Sequence, residues 1–219
     1  MGFNFDRRGK AKTALLITLL AVGGCIYLVY KPSGPAVAPK PTVAKNVVAY
    51  STDKPGEVPV DPSAYISTAG PNEPKYITLP TIGAQGFIQK MGIDQNNQVA
   101  APNNVNLAGW YVNSLSPGQA GLSIIDGHID GLHGPGIFLR LNKLSAGDTF
   151  TIELGNGSNK IFRVKQIVAV ADADAAKVLF SRDATVASQL NLITCGGSFD
   201  RQSHSYNQRT VVISELVSS

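Results

Sequence analysis

An all-β barrel or sandwich is predicted for the chain from Lys75 onward, and three observations predict it. Short runs of β-branched and aromatic residues follow one another, glycine-bearing turns separate them, and little helical periodicity intervenes. Tyr76-Ile77-Thr78-Leu79 and Phe87-Ile88-Gln89-Lys90-Met91 read as the first strands, bounded by Pro80, Gly83, Gly86 and Gly92. Residues 122–125 form an apolar strand. Phe150, Ile152 and Leu154 alternate with Thr149, Thr151 and Glu153, the period of a strand with one buried face. Gly155-Asn156-Gly157 supplies positive-φ residues for a hairpin turn into a strand over 161–170. Asp174 is placed to cap a short helix through Phe180. Residues 189–194 and 210–216 make the last two strands. A domain of roughly 145 residues is large enough to hold together by its core alone.

The N-terminal part reads differently. Residues 1–45 carry seven basic side chains against Asp6 alone, whereas the remainder carries 12 basic against 14 acidic. The formal charge of +4 is therefore concentrated in the tail, a membrane pattern that gives no support to a nucleic-acid partner. Residues 13–30 are an uncharged, mostly apolar run, and a helix of that length spans ~27 Å, close to the hydrocarbon thickness of a bilayer. Arg7, Arg8, Lys10 and Lys12 precede it and only Lys31 follows at once, so the basic segment 1–12 is placed in the cytoplasm and everything after Lys31 outside. A cleaved signal peptide is the rival reading. The run is long for one and no clean small-x-small site follows it, so an uncleaved single-pass anchor is preferred. Residues 31–74 hold nine of the 13 prolines and read as an extended extracytoplasmic spacer.

Export makes the cysteines informative. Cys25 lies within the apolar run, which leaves Cys195 as a lone thiol, either buried and inert or chemically used. Three segments bear on the choice. Gly127-His128-Ile129-Asp130 follows the apolar strand 122–125; Leu192-Ile193-Thr194-Cys195-Gly196-Gly197 ends a strand in a cysteine and two glycines; Arg209 opens the final strand. A cysteine at a strand end is held by rigid backbone yet can face solvent, and Gly196 and Gly197 leave room for a substrate backbone. A histidine can supply the proton that a leaving group needs. A guanidinium never loses its charge and can hold an oxyanion or a substrate backbone. Plainer readings stand beside these: Cys195 as a core thiol, His128 as a structural histidine, and Arg201 in place of Arg209. Arg201 and His204 read as exposed loop residues, and Trp110 and Tyr111 as core or barrel rim. The run His128, Asp130, His133 has no dependable ligand geometry, so no metal or other cofactor is expected.

The order of histidine, then cysteine at the end of an L-x-T-C strand, then arginine opening the next strand resembles the sortases. The likeness covers nearly all of residues 75–216. Ile77-Thr78-Leu79-Pro80-Thr81-Ile82-Gly83, Gly109-Trp110-Tyr111, Pro117-Gly118, Gly147-Asp148 and Thr194-Cys195-Gly196-Gly197 are most similar to the class F pattern. This resemblance implies an eight-stranded closed β-barrel with short helices over 75–219, preceded by one transmembrane helix. It implies a cysteine transpeptidase with Cys195 as nucleophile, His128 as proton carrier, Arg209 as oxyanion or substrate clamp and Thr194 assisting in substrate binding. It further implies as partners an LPxTG-like sorting signal, cut between Thr and Gly, and an amine of a cell-wall precursor, at the outer face of a Gram-positive-type envelope. Hydrolysis of sorting signals, pilin joining and a non-catalytic anchored binding barrel are the alternatives.

Overall fold

Period-2 patterning gives several strands one apolar face, and eight strands close on themselves to bury those faces together. The computed structural model describes residues 55–94 and 97–218. The basic segment 1–12, the apolar run 13–30 and the spacer as far as residue 54 lie outside them. Among the described residues no helix is long and apolar enough to cross a membrane. The strands are β1 (Pro74–Leu79), β2 (Ala84–Met91), β3 (Ala108–Tyr111), β4 (Gly121–Gly127), β5 (Thr149–Leu154), β6 (Asn159–Ala171), β7 (Ser188–Asp200) and β8 (Ser205–Ser218). Their closed order is β1-β2-β3-β4-β7-β8-β6-β5. Two neighbouring pairs, β2/β3 and β4/β7, are parallel and the rest antiparallel, so the barrel is mixed.

Inside, Phe150 and Phe162 face each other across the β5–β6 register and stack at 5.7 Å with an 18° interplanar angle. Ile77, Ile125, Leu190, Leu192 and Val212 complete the packing around them. Burying each such side chain contributes about 1.5–3 kcal/mol, an upper figure because unfolded chains are already partly compact. Alternation then sends the intervening residues of β7 outward. With Leu190 and Leu192 in the core, Ile193 and Cys195 emerge on the outer face and line a cleft there.

One helix, α1 (Ala175–Leu179), forms a wall of that cleft. Asp174 stands at its start but makes no capping hydrogen bond, in contrast to the sequence expectation. Its carboxylate pairs instead with Lys177 one turn on, at 2.6 Å. The helix is held from its other end. Buried Asn191 donates its amide to the carbonyl of Leu179 at 2.7 Å and accepts from Gln189, which in turn donates to the carbonyl of Ser181. Between β5 and β6 the predicted hairpin forms, with only Gly157 of the three turn residues at positive φ (83°).

The described end of the proline-rich stretch lies along the barrel. Tyr65 stacks on Phe87 at 4.4 Å, and the carbonyls of Asn72 and Glu73 accept from Ser116 and Gly155.

Candidate active site

The outer face of β4, β7 and β8 carries a cleft of about 360 Å³, and His128, Thr194, Cys195 and Arg209 all line it. Sequence separates His128 and Arg209 from the adjacent Thr194 and Cys195; the parallel β4/β7 pair and the antiparallel β7/β8 pair bring them together. Cys195 and Arg209 are direct cross-strand partners. His128 follows the last residue of β4, with its Nε2 2.6 Å from the carbonyl oxygen of Pro102. A carbonyl only accepts, so Nε2 carries the proton and Nδ1 is the basic nitrogen of the neutral ring.

Burial lowers the His128 pKa below its ordinary 6.5, against the opposing pull of the Pro102 hydrogen bond and of Asp130. Burial likewise raises Cys195 above its ordinary 9.0; Arg209 opposes the rise, and Asp126, Asp130 and Asp172 reinforce it. At neutral pH the predominant pair is therefore thiol and neutral imidazole, and the thiolate–imidazolium form is a minority.

Arg209 is fixed on several sides. Its Nη1 donates to the carbonyls of Tyr206 (3.1 Å) and Gln208 (3.0 Å), and its Nη2 meets Asp172 Oδ1 at 2.8 Å. Arg201 is exposed in the β7–β8 turn, as the sequence suggested, and so is His204, with its ring against Phe199. The Thr194 hydroxyl donates to the carbonyl of Gly127 at 2.7 Å, so it would have to leave that bond before it could donate to an oxyanion. Trp110 is buried with its indole N–H on the Leu115 carbonyl, whereas Tyr111 reaches the cleft and meets Phe180 edge-on.

Gly196 and Gly197 do different work from that expected. Neither lines the cleft. Gly197 has φ of 76°, and a Cβ there would lie 2.2 Å from Asn207 Oδ1; Gly196 abuts Thr210. They permit the β7–β8 ladder to shift register before Phe199, so the cross-strand neighbour and not a substrate occupies the space.

Sequence reasoning also passed over Asp126, Asp172, Pro102 and Tyr206. Asp126 sits in the cleft with its Oδ1 sealed and without a hydrogen-bond partner among the described residues, and burial raises its pKa well above 3.8 although Arg209 opposes. An acid directly after the apolar run Leu122-Ser123-Ile124-Ile125 was the one sequence signal available. Tyr206 donates to Asp130 Oδ2, and burial together with that bond pushes its pKa up to about 12. Asp130 is thus turned to a tyrosine, and His133 lies by Glu57.

A profile of the sortase domain matches residues 77–217. The chain belongs to the sortase family. Sortase A from Corynebacterium diphtheriae, as a lid mutant, superposes with a TM-score of 0.52 at 22% identity over 72% of this chain and 75% of that one. Sortase C1 of Streptococcus agalactiae, in its complex with MTSET, gives a TM-score of 0.50 at 19% identity over 68% and 69%. At such identities the superpositions speak to the fold. Comparison with curated proteins returns no match. As a sortase the protein is a cysteine transpeptidase, and Cys195 is the only cysteine in the matched region.

Proposed function

We propose that this sortase is held at the outer face of a membrane by residues 13–30 and cuts an LPxTG-like sorting signal between Thr and Gly. Cys195 is the nucleophile, His128 the proton carrier and Arg209 the electrostatic clamp. The observation that supports the reading is the convergence of these three side chains in one cleft, with Cys195 and Arg209 paired across two rigid strands.

In the first half-reaction the Cys195 thiolate adds to the threonine carbonyl. The tetrahedral intermediate collapses with cleavage of the C–N bond, and the imidazolium of His128 gives its proton to the departing glycine amine. In the second, an amine of a cell-wall precursor attacks the thioester, loses a proton to His128 and releases the Cys195 thiolate. Arg209, already oriented by Asp172 and two carbonyls, stabilises the negative oxygen of either intermediate without reorganising. Thr194 contributes to the substrate-binding wall beside Cys195. The motif set over 77–83, 109–111 and 194–197 supports assignment to class F.

Incubation with a sorting-signal peptide, followed by intact-mass measurement, tests the proposal. Expected is an adduct at Cys195 equal to the acyl fragment, discharged faster by an added amine with formation of the amide. Release of only the hydrolysed acid, with no response to amine, would make the enzyme a sorting-signal hydrolase. Failure to form any adduct would remove the catalytic assignment of Cys195.

A further inference from the structure

Residues 56–58 fasten two loops that both converge on His128. The first loop, residues 101–107, provides the Pro102 carbonyl that holds the imidazole. The second, residues 129–137, leaves directly from His128. Gly56 donates to the Asn103 carbonyl at 2.8 Å and accepts from Val105 at 2.9 Å, while Asn104 donates its amide to the Val58 carbonyl at 3.0 Å. Between them, the Glu57 carboxylate accepts from the consecutive backbone N–H groups of Leu132 and His133, the latter at 2.9 Å. The His133 ring lies 3.6 Å away on the same oxygen.

The seat for this carboxylate depends on Gly131, where a Cβ would lie 2.7 Å from Glu57 Oε1 and 2.9 Å from Val105. The two loops are also stitched to each other, through the Ile137 N–H on the Val105 carbonyl. On the far side, Tyr206 holds the second loop through Asp130. A carboxylate accepting from two successive amides makes charge-assisted bonds about twice as strong as neutral ones. The 129–137 loop is thus held on one side by β8 and on the other by a residue some 70 positions earlier in the chain than His128.

We propose that Glu57 is a positioning residue for the transfer reaction. By locking the two loops together it fixes the His128 imidazole relative to Cys195, which makes residues 56–58 part of the catalytic unit. The inference rests on the reading of His128 as proton carrier. Misplacing a reacting group by about 1 Å can cost ~10²-fold in rate, so a lock of this kind has a kinetic signature beyond stability.

The test uses the full chain and a fluorogenic LPxTG-type peptide, with kcat, KM, the pH profile and the melting temperature measured together. Glu57→Ala should lower kcat by roughly 10²-fold with KM nearly unchanged. The acid limb of the profile should also move up toward 6.5, because the loosened loop admits water to the imidazole; Asp130 remains the charged group acting on it. Glu57→Gln keeps one carbonyl acceptor and should fall between the two. Gly131→Ala crowds the carboxylate and should reproduce the Glu57→Ala kinetics, which keeps the test decisive if Glu57→Ala fails to fold. Glu215→Gln cuts the pairs with Arg163 and Lys165 at the other end of β8 and should change stability alone. Native kcat and a native acid limb in a folded Glu57 or Gly131 variant would overturn the proposal. Native turnover in His128→Ala would instead overturn the reading of the site, whatever Glu57 does.

Discussion

Cys195, His128 and Arg209 were each singled out from residue type and position, but the protonation states of Cys195 and His128 were not legible there. Burial favours the thiol and the neutral imidazole, so the rate should depend on pH as a bell spanning neutrality. Its acid limb should lie below 6.5 and its alkaline limb above 9.0. A kcat/KM profile with both limbs inside that interval would contradict the geometry. Cys195→Ala should abolish adduct and turnover while the domain stays folded. His128→Ala should lose turnover yet still react with a strong alkylating agent. Arg209→Lys keeps the charge but not the planar fork, and should lose ~10²–10³ in kcat, whereas Arg201→Lys should be silent. The reverse order of these two arginine effects would show the clamp to be Arg201. Asp126 offers a separate test. Its folded pKa is raised above 3.8, so its favourable contribution is complete below pH 3.8 and is lost as pH climbs through the raised value. Asp126→Asn should therefore gain stability over the parent as pH increases. A difference in melting temperature that stays constant from pH 4 to 9 would show Asp126 to be unperturbed.

The elements divide by how much of their pairing is local. Strands with clean alternation, such as β5, were legible to within a residue. β3 (Ala108–Tyr111) was seen only as a motif, because its pairing with β2 and β4 and its burial are decided elsewhere in the chain. β7 and β8 run past their apolar cores to Asp200 and back to Ser205, because a hairpin ladder continues through polar residues once it has started. Asp174 had the right type for a cap but found Lys177 first. The holding of α1 shows what the pattern could not say. Asn191→Leu strands the Leu179 carbonyl and the Gln189 N–H that Asn191 accepts, and should cost about 1–3 kcal/mol. Because α1 then loosens from the cleft, KM for a sorting-signal peptide should rise more than kcat falls. Equal denaturation midpoints for variant and parent would remove Asn191 from that role.

At the scale of the whole molecule, the charge bias and the apolar run predict that external protease cuts intact cells' protein in the proline-rich stretch and releases a soluble, folded domain. Recovery of mature protein only in the medium, with no membrane-bound form, would point to a cleaved leader. Composition, periodicity and the three short motifs determined the all-β class, the strands with one apolar face, the lone thiol and the histidine and arginine to set beside it. These are properties of residue type and of neighbours in sequence, which local sterics and hydrophobic alternation express directly. Tertiary structure alone decided the rest. The mixed closed order of strands, the pairing of Cys195 with Arg209, the sealed Asp126, and the seat of Glu57 against Leu132 and His133 all depend on contacts between residues far apart in the chain. Such contacts carry no local signal, because each residue is compatible with many partners until the closing barrel removes the water and leaves it one.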